Sequence, residues 1–353
     1  MDKAKKIIER LEATGAMTAE SYSHEEMLEE SKTFERTLLK EVFQDGYSDS
    51  LRTYDLVSHL KSRAAQYGLC DNQVYCSLVY DLERLSCEIG SLVNGARGEG
   101  LAERALQRLP VRNERLCNVQ LCCDGEEAEY DDIVITSNGI FIVEVKFYTS
   151  AVVIDHDGML KGKYSHIPGV YNVGERMQSK EYILWKTLES AVGSFVSRDQ
   201  IHGVVLNANK YQRIEDEFGR VPVKSCGSVN YFIGDFVDKS FTEEQIALVK
   251  DAILSAAVEI RHAPALNYDR IRNNFAETLV LMDKAAKQHE AHEAEAVEVE
   301  NPDAWSVAAA TAGFKMPRWA RNTLGVVGGV MSFGACAFGI SQIPQVRARA
   351  RIF

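Results

Sequence analysis

The sequence predicts an α/β protein in which a mixed sheet is flanked by helices, with helical extensions at the N- and C-terminal ends. Two observations predict this class. Apolar residues recur at helical spacing through residues 1–92, as at Ile7, Ile8 and Leu11. Between residues 115 and 233, short runs rich in β-branched and aromatic residues alternate with one long helical pattern. A chain of 353 residues has room for more than one folding unit.

The N-terminal region, residues 1–92, is interpreted as helices with a break at Gln44–Ser48. A further pair of helices is expected at Leu51–Ala65 and Gln73–Leu92. The simplest interpretation is a helical extension or an antiparallel hairpin. A coiled coil that binds a partner is the alternative, although the heptads are neither long nor regular.

A glycine-rich stretch, Asn94–Gly100, is predicted to start a new helix over Leu101–Leu109. It is not a phosphate-binding loop, because no Gly-Lys-Ser/Thr follows, and no strand precedes it as a dinucleotide-binding turn requires. Glu99 is expected in the first turn of this helix, where a carboxylate interacts favourably with the helix dipole. Capping and a role in an active site both remain open for Glu99.

A β-hairpin is the strongest local signal in the chain. Two apolar runs, Asp132–Ile135 and Ile140–Lys146, flank the dipeptide Asn138-Gly139, which favours a two-residue hairpin turn. Glu144 and Lys146 lie two residues apart, so their side chains point to the same face of the strand. Charges at the end of a buried strand are costly unless they are paired, bound to metal or catalytic.

The other predicted elements of this domain follow a simple order. They are a strand at Arg115–Cys122, a strand at Ala151–Ile154, a polar loop to about Gly174, a helix at Glu175–Phe195, and strands at Ile201–Leu206 and Ser228–Ile233. A capping box at Thr242 and Gln245 then starts a helix that Pro264 ends, and a second helix runs from Tyr268 to about Lys287. The acidic stretch Gln288–Pro302 is interpreted as a solvated linker or a frayed helix.

The C-terminal segment Leu324–Ile340 carries no charge. A spanning helix needs about 20 apolar residues, with about 17 as the lower limit. Trp319 and the arginines on both sides suit the membrane interface, and the Gly325/Gly329 pair suits close helix packing. A membrane anchor is one interpretation, and a buried glycine-rich helix in a soluble protein is the other.

These patterns divide the chain into five regions. The predicted boundaries are 1–92 for the N-terminal helices, 93–238 for the α/β domain, 239–287 for a helical extension, 288–316 for an acidic linker, and 317–353 for an anchor helix with a basic tail. The charged helical opening has no apolar signal region, so a cytoplasmic protein is expected, anchored to a membrane if the C-terminal segment spans it.

Net charge and cysteine spacing narrow the function classes. The formal net charge of −11 argues against general adhesion to nucleic acid, so any such contact needs a local basic patch or metal ions. The 8 cysteines include no Cys-x-x-Cys pair, which argues against a zinc framework.

The hairpin also carries residues suited to metal chemistry. Asp131 and Glu144, at the ends of adjacent strands, could bind one hard divalent cation. Such a cation polarises a phosphodiester and activates a bound water, and Lys146 could orient that water or stabilise developing charge. Glu99 would strengthen the metal site. The alternative is a surface ion pair between Glu144 and Lys146.

The motifs resemble the nuclease-related domain (NERD) family, a branch of the PD-(D/E)XK nuclease superfamily. The matching motifs are Gly98-Glu99, Glu129–Ile135, Asn138–Ile140 and Val143–Lys146, in the family's order and spacing. The resemblance covers roughly residues 95–235. It implies a restriction-endonuclease-like core with metal-dependent cleavage of DNA.

The resemblance also implies residue roles. Asp131 and Glu144 would be ligands of Mg²⁺ or Mn²⁺, Lys146 the catalytic lysine, and Glu99 an accessory carboxylate and ligand. Asp132 ranks lower, because its side chain should face away from Asp131.

The helix that follows departs from the family pattern. The family tends to carry Asn-Pro and then Gln, whereas this chain has Asn172-Val173 and then Gln178. Gln178 is therefore a candidate site residue at an altered spacing. A local basic patch could be formed by Lys161, Lys163, Arg176, Lys180 and Lys186, although a solvated helix face also explains them.

Two functions follow as hypotheses. The first is a metal-dependent nuclease, tethered to a membrane if the C-terminal segment is an anchor. The second is a non-catalytic, membrane-associated interaction protein that keeps a nuclease-like fold. The complete Asp, Glu and Lys set favours the first.

Overall fold

The computed structural model describes residues 2–164, 171–236 and 241–299. In these ranges the protein has an α/β fold, with two mixed sheets flanked by helices and helical regions at both ends. The predicted fold class is therefore confirmed.

The N-terminal region is helical, as predicted. Its helices are α1 (Asp2–Glu12), α2 (His24–Phe43), α3 (Thr53–Gln66) and α4 (Gln73–Leu106). A short 3₁₀ turn at Gln44–Gly46 marks the predicted break. Buried Phe34, Leu38 and Leu60 lie in one apolar core formed by these helices.

Helix α4 corrects the prediction of a new helix at the glycine-rich stretch. It begins at Gln73, where the side chain of Asn72 accepts hydrogen bonds from the first-turn amides, and it continues without a break to Leu106. Its first half packs in the N-terminal core through Leu82, and its second half packs against the sheet through Ala102. Packing at both ends outweighs the helix cost of about 1 kcal/mol per glycine. The predicted boundary at residue 93 thus falls inside one helix.

The larger sheet contains the predicted hairpin. Its strands are β1 (Asn113–Cys123), β2 (Glu126–Thr136), β3 (Gly139–Lys146), β7 (Ile201–Asn207) and β9 (Val223–Ser225), in the order β1-β2-β3-β7-β9. Strands β1 to β3 are antiparallel, and β7 and β9 continue parallel to β3. Thr136 pairs with Gly139 across a turn formed by Ser137 and Asn138, so the predicted hairpin is confirmed.

The smaller sheet was only partly predicted. Its strands are β4 (Val152–Ile154), β5 (Met159–Gly162), β6 (Tyr171–Asn172) and β8 (Ile214–Asp216), in the order β6-β5-β4-β8. The expectation of β4 is confirmed. The prediction of a polar loop in this region is wrong at β5 and β6, which are strands. Strands of two to four residues carry too little periodicity to be recognised from sequence.

Helices cover both faces of the larger sheet. Helices α5 (Val173–Val192) and α7 (Glu243–Ala256) share a core with Ile133 and Ile142 on one face. Helix α4 packs on the other face, against Val143 and Val145.

The segment predicted as a strand at Ser228–Ile233 is a short helix instead. This helix, α6 (Val229–Gly234), buries Val229 and Ile233 against the same face as α4. These two residues are four positions apart, which is the spacing of one helical face. The sequence Val-Asn-Tyr-Phe-Ile is too short to separate this pattern from a strand.

The last described helix, α8 (Tyr268–Val299), returns to the N-terminal helices. Ile271 and Phe275 are buried in the same core as Phe34. The helix passes the predicted end at Lys287 and continues into the predicted acidic linker. None of the helices within the described ranges is both long and apolar enough to cross a bilayer. The predicted anchor at Leu324–Ile340 lies outside the described residues.

Candidate active site

A cavity of about 290 Å³ lies where β2 and β3 meet helix α5. Its charged lining residues are Glu127, Glu129, Asp131, Glu144, Lys146, Arg176 and Lys180. A larger cavity of about 810 Å³, lined by α4 and the loop after β9, contains no carboxylate. Of the two cavities, the smaller one therefore holds the carboxyl groups suited to acid–base and metal chemistry.

The hairpin register brings Asp131 and Glu144 together. Asp132 pairs with Val143 across the antiparallel strands, which places Asp131 opposite Glu144. Because side chains alternate along β3, Glu144 and Lys146 share the face of Ile142 and point away from α4. The amide N–H of Val145 donates to Oδ2 of Asp131 at 2.6 Å, which fixes that carboxylate against β3.

Glu144 is buried and fully engaged by donors. Its Oε1 accepts hydrogen bonds from Lys146 Nζ at 2.6 Å and from Tyr171 Oη at 2.8 Å. Its Oε2 accepts from Lys180 Nζ on α5. Burial alone would raise the pKa of Glu144, but the two ammonium groups outweigh it and lower the pKa to about 2. Glu144 is therefore ionised at neutral pH.

Asp131 has the opposite electrostatic balance. Burial and the negative charge of Glu144 raise the pKa of Asp131 to about 7, and the ammonium groups of Lys146 and Lys180 offset this only in part. Two carboxylates in one cavity disfavour double ionisation. Near neutral pH, a proton on Asp131 or a nearby cation therefore stabilises the pair of Asp131 and Glu144.

Lys146 keeps its positive charge. Burial would lower the pKa of this ammonium, but the negative charge of Glu144, followed by Tyr171 and Asp131, raises it above the usual value. Lys146 Nζ also lies 5.1 Å from the ring centroid of Tyr171. A lysine held this way can stabilise negative charge but cannot act as a base.

The donor set fits one hard divalent cation. Asp131 and Glu144 supply carboxylate oxygens, which Mg²⁺ and Mn²⁺ prefer. Burial and then the negative charge of Glu144 raise the pKa of Asp131, and a bound cation would offset both effects. Binding through Oε2 of Glu144 requires Lys180 to move aside, because its ammonium contacts that atom.

Two predicted site residues do not join this group. Helix α4 carries Glu99 on the opposite face of the sheet, and Glu99 does not line the cavity. Among the described residues, neither Asp131 nor Glu144 belongs to a group of three or more side chains whose ligand atoms all lie within 4.8 Å of one another. Gln178 is exposed. It follows Arg176, which lines the cavity, by two positions on α5, so its side chain points away from the cavity. Any role for Glu99 or Gln178 stays a prediction.

Asp132 belongs to a different contact. It is buried, and its Oδ1 accepts from Arg115 Nε at 2.5 Å. The charge of Glu103 on α4 also acts on Asp132, which places this side chain on the α4 side of the sheet. Asp131 and Asp132 thus face opposite ways, as the alternation of a strand requires.

The predicted basic patch is largely neutralised. Four of its five members are paired, as Lys161 with Asp155, Lys163 with Glu215, Lys180 with Glu144, and Lys186 with Glu189. Only Arg176 and Lys180, of these five, line the cavity.

Two contacts of Glu144, with Lys180 and Tyr171, are not predicted from the sequence. Lys180 was named only as a patch member, although it follows Arg176 by four positions and so shares its helix face. That spacing was a usable signal. For Tyr171 the sequence offers no such signal, because the two-residue strand β6 is too short to show a periodic pattern.

One family model matches the part of the chain that carries this cavity. Residues 94–207 match the family model described as the nuclease-related domain, NERD, so the family recognised from the motifs is confirmed for this part of the chain. The match covers about a third of the chain and contains Asp131, Glu144 and Lys146. Neither the comparison with curated proteins nor that with solved structures found a match.

Proposed function

We propose that the protein is a metal-dependent nuclease that hydrolyses phosphodiester bonds of DNA at the Asp131, Glu144 and Lys146 site. The observation that carries the proposal is the meeting of these three side chains in one cavity of a nuclease-related domain. The family match by itself supports only a nuclease-related function.

Each residue has a distinct task in the proposal. Asp131 and Glu144 would hold a Mg²⁺ or Mn²⁺ ion. Such an ion would polarise the phosphodiester and would lower the pKa of a coordinated water. Lys146 places a permanent positive charge beside the reacting phosphate and stabilises the charge that develops there. Tyr171 holds the carboxylate of Glu144 in place through its hydroxyl group.

Arg176 and Lys180 place positive charge at the cavity, and of the two only Lys180 is paired with Glu144. Both line the cavity on the face of α5. Arg176 lies over the ring of Tyr171, 5.6 Å from the ring centroid, and is exposed at the mouth. Phosphate contacts of this kind position a nucleic acid without reading its sequence.

A cleavage assay tests the proposal. The full chain, stripped of metal with a chelator, is supplied with Mg²⁺ or Mn²⁺ and with double-stranded DNA, single-stranded DNA or RNA. We expect cleavage of DNA that appears with metal and stops with chelator. Absence of cleavage of every substrate would overturn the nuclease proposal, and cleavage of RNA alone would correct its substrate.

The alternative is a non-catalytic interaction protein with a nuclease-like fold. One observation favours it: Lys146, Lys180 and Tyr171 already satisfy Glu144 without a metal ion. Calorimetric titration with Mg²⁺ and Mn²⁺ separates the two functions. Binding that depends on Asp131 and Glu144 supports the nuclease, and no binding supports the interaction protein.

We also propose, from the sequence alone, that Leu324–Ile340 anchors the protein to a membrane. Carbonate washing of membranes should leave the full chain in the pellet and release a chain that ends at Pro302. Release of both forms would contradict anchoring.

A further inference from the structure

A second cluster of metal-ligand side chains lies beside the candidate active site. His24, Glu129 and His262 each offer one ligand atom, and these atoms all lie within 4.8 Å of one another. Nδ1 of His24 is 3.5 Å from Oε1 of Glu129, and Nε2 of His262 is 3.5 Å from Oε2. The three residues come from α2, from β2 and from the segment between α7 and α8.

The backbone holds the two histidines in place. Tyr22 and His262 form an antiparallel bridge, with N–H to O distances of 2.9 and 2.8 Å. His24 follows Tyr22 by two residues and begins α2. The imidazole rings of His24 and His262 stack with centroids 4.2 Å apart and an angle of 11° between the ring planes.

The carboxylate is held from the other side. Glu129 pairs with Gln120 in the ladder between β1 and β2. Gln120 in turn accepts a backbone hydrogen bond from Val258 at 3.0 Å, in the same segment that carries His262. Backbone pairing therefore positions the segments that carry the three ligands before any ion binds, which reduces the cost of ordering them.

One ring nitrogen of the cluster is buried without a hydrogen bond. Nε2 of His262 is buried and makes no hydrogen bond. A buried polar atom without a partner costs about 1–3 kcal/mol. Coordination of a cation would satisfy it.

The distances and ligand types select the class of ion. Zn–N and Zn–O bonds of about 2.0–2.1 Å place tetrahedral ligands about 3.3–3.4 Å apart. The separations from His24 Nδ1 to Oε1 and from His262 Nε2 to Oε2 of Glu129, both 3.5 Å, are close to this spacing. Imidazole ligands favour zinc and its neighbours, whereas the all-carboxylate pair at Asp131 and Glu144 favours Mg²⁺ or Mn²⁺.

We propose that His24, Glu129 and His262 form a site for a transition-metal dication of the zinc class, separate from the proposed catalytic ion. His24 and Glu129 also line the candidate active-site cavity, so the ion lies at its wall. It ties the N-terminal helices to the nuclease-related domain. The proposal does not depend on nuclease activity, because none of its ligands belongs to the Asp131, Glu144 and Lys146 group.

Direct metal binding tests the proposal. The full chain is stripped with a chelator, kept reduced, and titrated with Zn²⁺ by calorimetry and with Co²⁺ by visible absorption. We expect one equivalent with imidazole ligation and a rise in melting temperature. Loss of a group that hydrogen-bonds to a metal ligand costs about 10–100-fold in affinity, so loss of a ligand itself in His262→Gln or His24→Gln should cost about 100-fold or more.

Matched variants make the result specific. His156→Gln is the control, because the His156 side chain is 83% exposed and lies outside the cluster. Glu144→Gln should keep Zn²⁺ affinity while it weakens Mg²⁺ binding, which separates the two sites. Circular dichroism verifies the fold of each variant, and His24→Gln alters only an exposed position.

Two outcomes would overturn the proposal. One is the absence of saturable Zn²⁺ or Co²⁺ binding. The other is Zn²⁺ binding that both histidine variants retain at the affinity of His156→Gln, which would assign it to other groups such as the exposed Cys70 and Cys76.

Discussion

Glu144 and Lys180 form an ion pair that joins strand β3 to helix α5 inside the candidate active site. Lys146 contacts the other oxygen of the same carboxylate. Glu144 is thus neutralised by two cations from the protein itself. Any metal ion that uses this carboxylate competes with Lys180.

Substitution of Lys180 should strengthen metal binding. Lys180→Met removes a competing charge, and we expect an increase in Mg²⁺ affinity of about tenfold, equivalent to about 1.4 kcal/mol. Calorimetric titration measures it. Lys186→Met is the control on the same helix, since Lys186 pairs with Glu189. Equal affinity in both variants would show that Lys180 does not compete with the ion.

Metal binding should depend on pH through Asp131. The pKa of this carboxyl is raised to about 7 in the metal-free protein, so below pH 7 the ion must displace a proton. Affinity for Mg²⁺ should fall about tenfold for each pH unit below 7 and level off above it.

The control for this pH dependence is Asp131→Asn. This variant should bind Mg²⁺ weakly and show no step near pH 7, because Glu144, with its pKa near 2, remains ionised throughout. A wild-type affinity that is constant between pH 5 and 8 would contradict the raised pKa.

Asp132 should matter for stability and not for metal binding. Arg115→Met leaves a buried carboxylate without its partner, which typically costs about 3–5 kcal/mol of unfolding free energy. Urea unfolding measures the loss. Mg²⁺ affinity should be unchanged, because Asp132 faces the α4 side of the sheet. A large loss of Mg²⁺ affinity in a folded variant would place Asp132, rather than Asp131, at the metal.

Substitution of two glycines of α4 by alanine should change the free energy of unfolding in opposite directions. A Cβ at Gly95 would meet nothing within 4 Å, whereas a Cβ at Gly98 would lie 3.0 Å from Cβ of Phe147. Gly95→Ala should stabilise the protein by about 0.5–1 kcal/mol through helix propensity. Gly98→Ala should destabilise it, because Phe147 and Val145 must shift. If both substitutions stabilise the protein equally, α4 does not pack as closely on the sheet as the structure shows.

The parts of the site that sequence could predict are those set by local rules. The two-residue turn at Ser137 and Asn138 fixes the hairpin register, and the two-residue repeat of a strand places Glu144 and Lys146 on one face. The same rules separate Asp131 from Asp132. These positions agree with the structure.

The rest depends on packing between distant segments. The glycines near residue 95 suggest a helix start, yet packing at both ends keeps α4 continuous. Lys180 reaches Glu144 across 36 positions, and His24 meets His262 across more than two hundred. No periodicity reports such contacts, because they arise from the arrangement of whole elements.

The rate of DNA cleavage by Lys146→Met tests the central claim most directly. Lys163→Met is the matched control, since Lys163 pairs with Glu215 in the smaller sheet, outside the cavity. Single-turnover cleavage with Mg²⁺ should fall about 10²–10³-fold in Lys146→Met, the usual loss for a group that stabilises transition-state charge, and stay unchanged in the control. Cleavage by Lys146→Met at the rate of Lys163→Met would contradict the proposed site.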